Sequence, residues 1–524
     1  MAISLGIGIG LPFGGAAAAA SGTSASRYSV AGTGFRWHDQ SQSNATNRYM
    51  SIEFRFGSPA YDITDPRVFC PSFWSPSGGA ETYMAGGHSI VIQGWSVEVT
   101  SGVWVVCDGA SDSGIATVDN SSAGVWLPRV AATLAANTMF RARMTFIVSA
   151  TSVPIPRNSF PAGSTSPAGQ ERSAGSTSTL YANLNNNVAH SNGGAVFYKP
   201  SMMIAKGGDG REAILVTGDS IGFGANHSGP TATWTSRNEF GFIAVGLDSD
   251  SGARRLAYHI MCIPGQRPVG TNGWDVTSNW TGKRAALQGV YDTYGAWPFD
   301  RVMNQHIRNS VPYTGSLRTA MSGYFDVLKL YGKPIVQIEG FSSTTSTDGY
   351  ATTANQTPQT GFDYASVDVG HLWPFNTDVG GADGLGDAAA YFRANGYITD
   401  SIAPWRYVAA DLTTGRDIYA VRPFNTTLQT AYASGSSIIV NGAITAGMQV
   451  YMEQDAGGYG AGRDVNSVTG SGPYTAALNA SPGTAAAIGR AVRDAWGDGV
   501  HPGPLVHRDV LAASIVDWKA ARGM

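Results

Sequence analysis

Ile214-Leu215-Val216-Thr217 runs without a break into Gly218-Asp219-Ser220-Ile221-Gly222. The first four residues show no polar alternation, which is the pattern of a short buried strand. The glycines around an acid and a serine read as a tight turn, with the serine where a helix would begin. Near the other end, Asp498-Gly499-Val500-His501-Pro502 sets a carboxylate three residues before an imidazole, just ahead of a last helical stretch. A serine hydroxyl needs a base to become nucleophilic, and the base needs an acidic partner to fix its tautomer and stabilise its cation. Ser220, His501 and Asp498 supply those groups, and the expectation is a serine hydrolase.

The chain around this turn alternates strands with helices. Strands are expected at Ile214–Thr217, Leu256–Cys262, Arg301–Gln305 and Ile335–Ile338, and helices at Lys283–Tyr294 and Ser316–Tyr331. In the second helix Leu317, Met321, Tyr324, Leu328 and Tyr331 share a face, and Gly332 stands at its C-terminal cap. Such a rhythm implies a parallel sheet with helices on both faces. Before it, Tyr49–Phe56, Ser89–Thr100, Val103–Cys107 and Phe140–Val148 are strand-like with no helix between them, which argues for a β-sandwich of jelly-roll size. Thr151–Ser178 is rich in Pro, Ser and Gly and reads as a linker or long surface loop.

A second interruption at about Asp411–Asn479 is again strand-like. Ile418–Arg422, Ser437–Val440, Met448–Glu453 and Tyr474–Leu478 are the runs, with Asn441-Gly442 and Gly470-Ser471-Gly472 as turn signals. A helix at Thr484–Trp496 and a closing helix at Leu505–Ala521, with Leu511, Ile515 and Trp518 on one face, then complete the α/β part. The expected organisation is a docking segment at 1–27, a sandwich with linker at 28–206, the α/β domain at 207–410 and 481–524, and a small β-insert at 411–480.

Composition narrows the class. Charged residues make up 14% of 524, against roughly 25% for an average soluble protein, and the net charge of −3 gives no electrostatic reason to bind nucleic acid or an anionic membrane. Three cysteines cannot build a disulfide framework. Cys70 and Cys107 would pair only if the N-terminal domain brought them together, and Cys262 reads as a small buried hydrophobe. No Cys/His spacing resembles a zinc site, so metal-free, cofactor-free chemistry is expected. The Gly/Ala-rich stretch Met1–Ala20 has no basic residue before Arg27 and is interrupted by glycines and Pro12. It fits neither a secretory leader nor a membrane span, and a segment that docks on a partner protein is the preferred reading over a flexible tail.

Gly218-Asp219-Ser220-Ile221 resembles the first block of the SGNH (GDSL-type) hydrolases, and Asp498-Gly499-Val500-His501-Pro502 resembles their last. Ile263-Pro264-Gly265 follows the second strand where that family places its oxyanion-hole glycine. Gln305-His306-Ile307-Arg308-Asn309 follows the third strand where the family reads Gly-x-Asn-Asp, with Ile307 and Ser310 departing from it and Asn309 retained. The resemblance covers about Arg211–Met524 apart from the insert. It implies a flavodoxin-like, three-layer α/β hydrolase fold with Ser220, Asp498 and His501 as the triad and Ser220, Gly265 and Asn309 as the oxyanion hole. His306 reads as a structural histidine. Gly218–Gly222 also satisfies the Gly-x-Ser-x-Gly elbow of α/β-hydrolases. The nucleophile after the first strand, the acid and base on one loop and the lack of a His-Gly-Gly motif favour SGNH.

In the SGNH family, a sandwich ahead of an esterase domain resembles carbohydrate esterases that remove O-acetyl groups. The N-terminal stretch and the insert containing Ile444-Thr445-Ala446-Gly447-Met448 resemble features of bacteriophage tail proteins. The expectation is therefore a tail-associated polysaccharide deacetylase acting outside the cell. Its partners would be an acetylated glycan and other virion proteins, with a homo-oligomer allowed and neither nucleic acid nor membrane insertion involved. Two alternatives remain open at this point: a secreted lipase or esterase on small esters, and a non-catalytic receptor-binding protein with a hydrolase-like fold.

Overall fold

The computed structural model describes residues 24–43, 47–151, 153–157, 172–186, 198–225, 241–248, 255–347, 352–363, 370–372, 388–409, 416, 425–442, 444, 446, 449–452, 454–455, 463–478, 480–482, 484–494, 500–502 and 506–524. The protein is a mixed α/β structure with several sheets.

Two antiparallel sheets form the N-terminal part. One runs in the order Tyr28–Val30, Met202–Lys206, Ile63–Pro71, Gly124–Trp126, with Thr133–Leu134 also on Ile63–Pro71. The other runs Arg172–Ser176, Tyr49–Gly57, Met139–Val148, Ser89–Thr100, Val103–Val106, with Ala116–Asp119 also on Ser89–Thr100. Along Met139–Val148 every second residue, Phe140, Ala142, Met144, Phe146 and Val148, is buried in the core, as the period-2 geometry of a strand requires. Met144 lies opposite Ile52 within its sheet, and its Sδ is 3.6 Å from Cys70 Sγ of the other. The two inner faces therefore share one core.

The expected linker corrects to two strands. Pro154–Arg157 pairs with Gln40–Ser43, and Arg172–Ser176 adds an edge to Tyr49–Gly57. Prolines survive in a two-stranded ribbon because each needs to give up only one outward N–H. Ser- and Gly-rich edges pair through backbone alone and leave little trace in side-chain pattern. All three cysteines are buried and free, so Cys70 and Cys107 do not pair.

The second part is a parallel sheet of β1 (Ala213–Thr217), β2 (Ala257–Ile260), β3 (Arg301–Asn304), β4 (Ile335–Ile338) and β5 (Asp400–Ile402), in the order 2-1-3-4-5. Strands β1 to β4 are buried on both faces, and the edge strand β5 is partly exposed. Leu215, Val302 and Ile335 pack with Leu287 and Val290 of α3 (Thr281–Tyr294) and with Met321 and Phe325 of α4 (Leu317–Lys329). Ile214, Val216, Ile260, Met303 and Val336 pack on the other side with Phe242 and Leu247 of α2 (Phe242–Asp248) and Ile515 and Trp518 of α6 (Ala512–Ala520). Two short helices complete this part: α1 (Ser220–Phe223), which follows β1, and α5 (Ala388–Ala394), which precedes β5. Helix α4 starts where Ser316 Oγ accepts the Thr319 N–H at 3.2 Å, an N-cap, and its predicted apolar face (Leu317, Met321, Tyr324, Leu328) is buried.

The core beneath α3 and α4 continues unbroken into the N-terminal sheets. Arg27 meets Asp300 at 2.7 Å through both guanidinium nitrogens, and Trp126 Nε1 donates to Ala286 O of α3 at 3.1 Å. Arg36 forms a parallel bridge with Ile260, and its guanidinium stands 5.6 Å from the Phe223 ring in α1.

The insert is a six-stranded antiparallel sheet with its own core of Leu428, Ile438, Val450, Met452, Val465 and Val492, among others. Its strands run in the order Asn425–Thr427, Ala491–Asp494, Gln449–Met452, Arg463–Thr469, Tyr474–Leu478, Ser437–Val440. The helix expected at Thr484–Trp496 is a correction: Ala491–Asp494 is a strand lying between Asn425–Thr427 and Gln449–Met452. The local Ala-rich helix propensity is a weak preference that burial of Val492 against Val450 and Met452 overrides. The expected strand Ile418–Arg422 lies outside the described residues. In the closing segment Val506–Leu511 winds as a π-turn before α6 begins.

Candidate functional site

In an open parallel sheet, ligands bind beyond the carboxyl ends of the strands, where the strand order reverses. Here that point lies at β1, flanked by β2 and β3, and the loops leaving these three strands carry Ser220, Gly265 and Asn309.

The turn after β1 is held from both sides. Asp219 caps α1, its Oδ1 accepting the Ile221 N–H at 2.9 Å, and Ser220 is the first helical residue. Gln305 Oε1 accepts the N–H groups of both Asp219 and Gly222, each at 3.0 Å, while its own N–H donates to Thr217 O at 2.7 Å. A Cβ at Gly218 or Gly222 would meet Gln305 Oε1 at 2.6 or 2.7 Å and Cys262 Sγ at 2.7 or 2.8 Å. The glycines of Gly-Asp-Ser-Ile-Gly are thus demanded by the close approach of side chains that follow β3 and β2.

Ser220 Oγ lies 2.8 Å from His501 Nε2, the one nucleophile–base contact that the sequence led us to expect. Asp498 lies outside the described residues. The segment after His501 is fastened by His507, which the sequence reading passed over. Its Nδ1 accepts the Phe242 N–H at 3.1 Å and its Nε2 stands 3.3 Å from Ala225 O, just beyond α1. Burial lowers the His507 pKa to about 3, so the ring is neutral and serves as a fixed acceptor and donor between the two halves of the site. No motif singles it out: it is one polar residue among His507-Arg508-Asp509 at the start of the closing segment.

Gly265 adopts φ +73°, and a Cβ there would meet Ser77 Oγ at 2.5 Å and the Gly78 nitrogen at 2.6 Å. Among the described residues the backbone N–H groups of Ser220 and Gly265 donate to no partner. Asn309 sits in a 3₁₀ turn after β3, where its Nδ2 donates to Gln266 O at 2.9 Å. A side-chain amide has two N–H bonds, so one remains for another acceptor. Ile307, where the family pattern has glycine, has φ −172°, outside the left-handed region that favours glycine, and its side chain is buried in the core. Ser310, where the pattern has aspartate, donates to Val269 O at 3.0 Å.

The charged groups near the turn are buried. Burial pushes the Asp219 carboxyl above the usual carboxylate range, opposed by the Ile221 amide and by the charges of Arg308 and His501. Arg308 is buried, with its Nη2 donating to Ser343 Oγ at 2.7 Å and its guanidinium 5.3 Å from the Phe362 ring. His306 is structural: its Nδ1 is 3.0 Å from Tyr324 Oη, its ring meets Trp274 edge-on at 4.7 Å, and burial lowers its pKa to about 3. Beside Asn309 opens a cavity of about 450 Å³ lined by Arg267, Thr271, Ser310, Tyr313 and Thr314, among others.

No family model and no curated protein matches the chain. Among solved structures, it is similar to an active-site mutant of a family two carbohydrate esterase from Clostridium thermocellum, at 10% identity over 59% of this chain and 77% of that one, with a TM-score of 0.17. It is also similar to a family two carbohydrate esterase from Cellvibrio japonicus, at 12% identity over 60% of this chain and 79% of that one, again with a TM-score of 0.17.

Proposed function

We propose that this chain is a serine esterase of SGNH type that removes O-acetyl groups from a polysaccharide. The observation that carries the reading is the 2.8 Å approach of Ser220 Oγ to His501 Nε2, at the head of the short helix that follows β1. The 2-1-3-4-5 strand order, with helices packed on both faces, supports a three-layer SGNH-type fold over an α/β-hydrolase.

The chemistry follows from the groups present. With the ring proton on Nδ1, His501 Nε2 takes the hydroxyl proton as Ser220 Oγ attacks the acetyl carbonyl carbon. The carbonyl oxygen becomes an oxyanion, for which the N–H groups of Ser220 and Gly265 and the second N–H of Asn309 Nδ2 are the proposed donors. Each such donor is worth about 2.7–4 kcal/mol of barrier. Collapse expels the sugar alcohol, which receives its proton from His501. Water activated by the same imidazole then releases acetate and frees Ser220. Asp498 is proposed to hold His501 Nδ1–H.

A sugar ester suits the surroundings. The cavity beside Asn309 offers the hydroxyls of Thr271, Ser310, Tyr313 and Thr314 and the Arg267 guanidinium, with Val269, Val311 and Pro312 as its apolar part, whereas a long acyl chain needs more contiguous apolar surface to gain its roughly 0.8 kcal/mol per CH₂. The proposed setting is a bacteriophage tail acting outside the cell, on the strength of the Gly/Ala-rich N-terminus and the β-insert. The test is turnover of p-nitrophenyl esters of rising acyl length by the wild type and by Ser220→Ala. Acetyl ester hydrolysis that falls steeply with chain length and is abolished in a folded Ser220→Ala protein is expected. Full activity in Ser220→Ala would remove the triad, and faster cleavage of octanoyl than acetyl esters would replace the deacetylase with a lipase.

A further inference from the structure

We infer that residues 75–81, a loop of the N-terminal sheets, position the oxyanion-binding loop, so that the catalytic unit includes the sandwich. The inference rests on the esterase reading above and concerns how Gly265 and Asn309 are held.

The contacts converge on the residues around Gly265. The Gly78 N–H donates to Pro264 O at 3.1 Å, Gln266 Nε2 donates to Gly79 O, and Asn272 Nδ2 donates to Gly78 O at 3.1 Å. Gly265 itself lies so close to the Ser77–Gly78 peptide that no side chain fits between them. Gln266 then relays the contact: its Oε1 accepts from Trp274 Nε1 at 2.9 Å and its carbonyl accepts from Asn309 Nδ2 at 2.9 Å. One residue therefore joins the sandwich loop to two of the three proposed oxyanion donors, Gly265 and Asn309.

The loop has rigid roots. The Ser75 N–H donates to His38 O at 2.9 Å, and Ser75 Oγ accepts from Lys283 Nζ. The Glu81 carboxylate accepts two backbone N–H groups in the first turn of α3, from Gly282 and Lys283, and pairs with Lys283 Nζ at 3.1 Å with both side chains 1% exposed. A carboxylate over a helix N-terminus is favoured by the helix dipole, and a buried pair of this kind fixes geometry more than it adds stability. The N-terminus of α3 thus anchors one end of a clamp whose other end bears on Gly265. Catalytic donors displaced by about 1 Å lose on the order of 10² in rate.

The experiment compares Gln266→Leu, Gly78→Ala and the milder, half-exposed Asn272→Ala with Trp126→Phe, which cuts a bond elsewhere in the same seam. All are measured as the full chain on p-nitrophenyl acetate, with folding checked by circular dichroism. Expected is a fall in kcat of about 10- to 10²-fold with unchanged KM in the folded clamp variants, and no change in Trp126→Phe. Gln266→Leu combined with Asn309→Ala is expected to lose less than the product of the two single losses, because both act on one donor set. Unchanged kcat in the folded clamp variants, equal losses in Trp126→Phe, or fully multiplicative losses would overturn the inference while leaving the esterase intact. Turnover that survives in Ser220→Ala, or a wild-type chain with none, would instead overturn the esterase reading and this inference with it.

Discussion

Gln305 is the residue whose removal most directly tests how the Ser220 turn is held. Its Oε1 is the acceptor for two N–H groups, from Asp219 and Gly222, which bracket Ser220. The side chain is 1% exposed and both donors are buried with it, so no water takes its place. Leaving a buried donor unmade costs about 1–3 kcal/mol, and Gln305→Met orphans two, for roughly 2–6 kcal/mol. Part of that is relieved if the turn shifts towards other acceptors, and the shift moves Ser220 away from His501. The expected outcome is a lowered urea midpoint by tryptophan fluorescence together with a kcat on p-nitrophenyl acetate reduced by about 10²-fold. Gln305→Glu keeps an acceptor for both N–H groups and is expected to retain more activity than Gln305→Met. It nevertheless places a second carboxylate beside buried Asp219, so one of the two will bind a proton more readily. A Gln305→Met protein with wild-type midpoint and kcat, or one altered in KM alone, would show that the turn is held by something else.

Asn309→Ala is expected to lower kcat by about 10²–10³ with little change in KM, as for a donor used only in the transition state; a KM effect alone would make Asn309 a substrate-binding residue. Asp219→Asn keeps the cap on Ile221 but removes a carboxylate whose pKa burial raises. A raised carboxyl favours the folded state while protonated and loses that advantage as pH rises through the folded value. The variant is therefore expected to be more stable than wild type at neutral pH, with the difference vanishing in acid; equal urea midpoints at pH 7 would refute this. His38, His259, His306 and His507 are each lowered by burial to about 3. The unfolded chain binds those protons below about pH 6.5 and the native one does not, so stability falls with falling pH by about 1.4 kcal/mol per unit for each, roughly 5.5 kcal/mol per unit together. Urea midpoints at pH 7 and pH 5 measure it, and a flat profile would mean that these rings find charge partners in the fold.

What was legible in the sequence was whatever depended on local pattern. Ile335–Ile338, Ser89–Thr100, Ser437–Val440 and Tyr474–Leu478 were read to the residue because burial on one or both faces is written in their side chains. Ser220 at the head of its helix and the Ser220–His501 contact were legible because a tight turn needs glycine and an activated serine needs a base. Arg172–Ser176 and Ala491–Asp494 were not, because an edge strand of Ser, Ala and Gly and a strand of helix-forming residues are stabilised by neighbours far away in the chain. Gln305 stood inside a motif and still escaped, since its role is an acceptor aimed at backbone atoms 83 and 86 residues away. His507 and the 75–81 loop escaped for the same reason.

The site therefore divides into two kinds of residue with different sequence signatures. Ser220 and His501 are set by chemistry, which tolerates few residue types, so they resemble a motif in spacing and kind. The groups that aim them, Gln305, Cys262, His507 and Gln266, need only offer an acceptor, a donor or a volume in the right place. Their work is visible instead in the glycines that make room for them: Gly218 and Gly222 against Gln305 and Cys262, and Gly265 against Ser77 and Gly78. A bulkier residue at any of these three positions would force apart segments that come from different strands, or in the last case from the sandwich. The glycines of the candidate site thus mark the contacts through which the rest of the chain holds Ser220 and its proposed oxyanion donors in place.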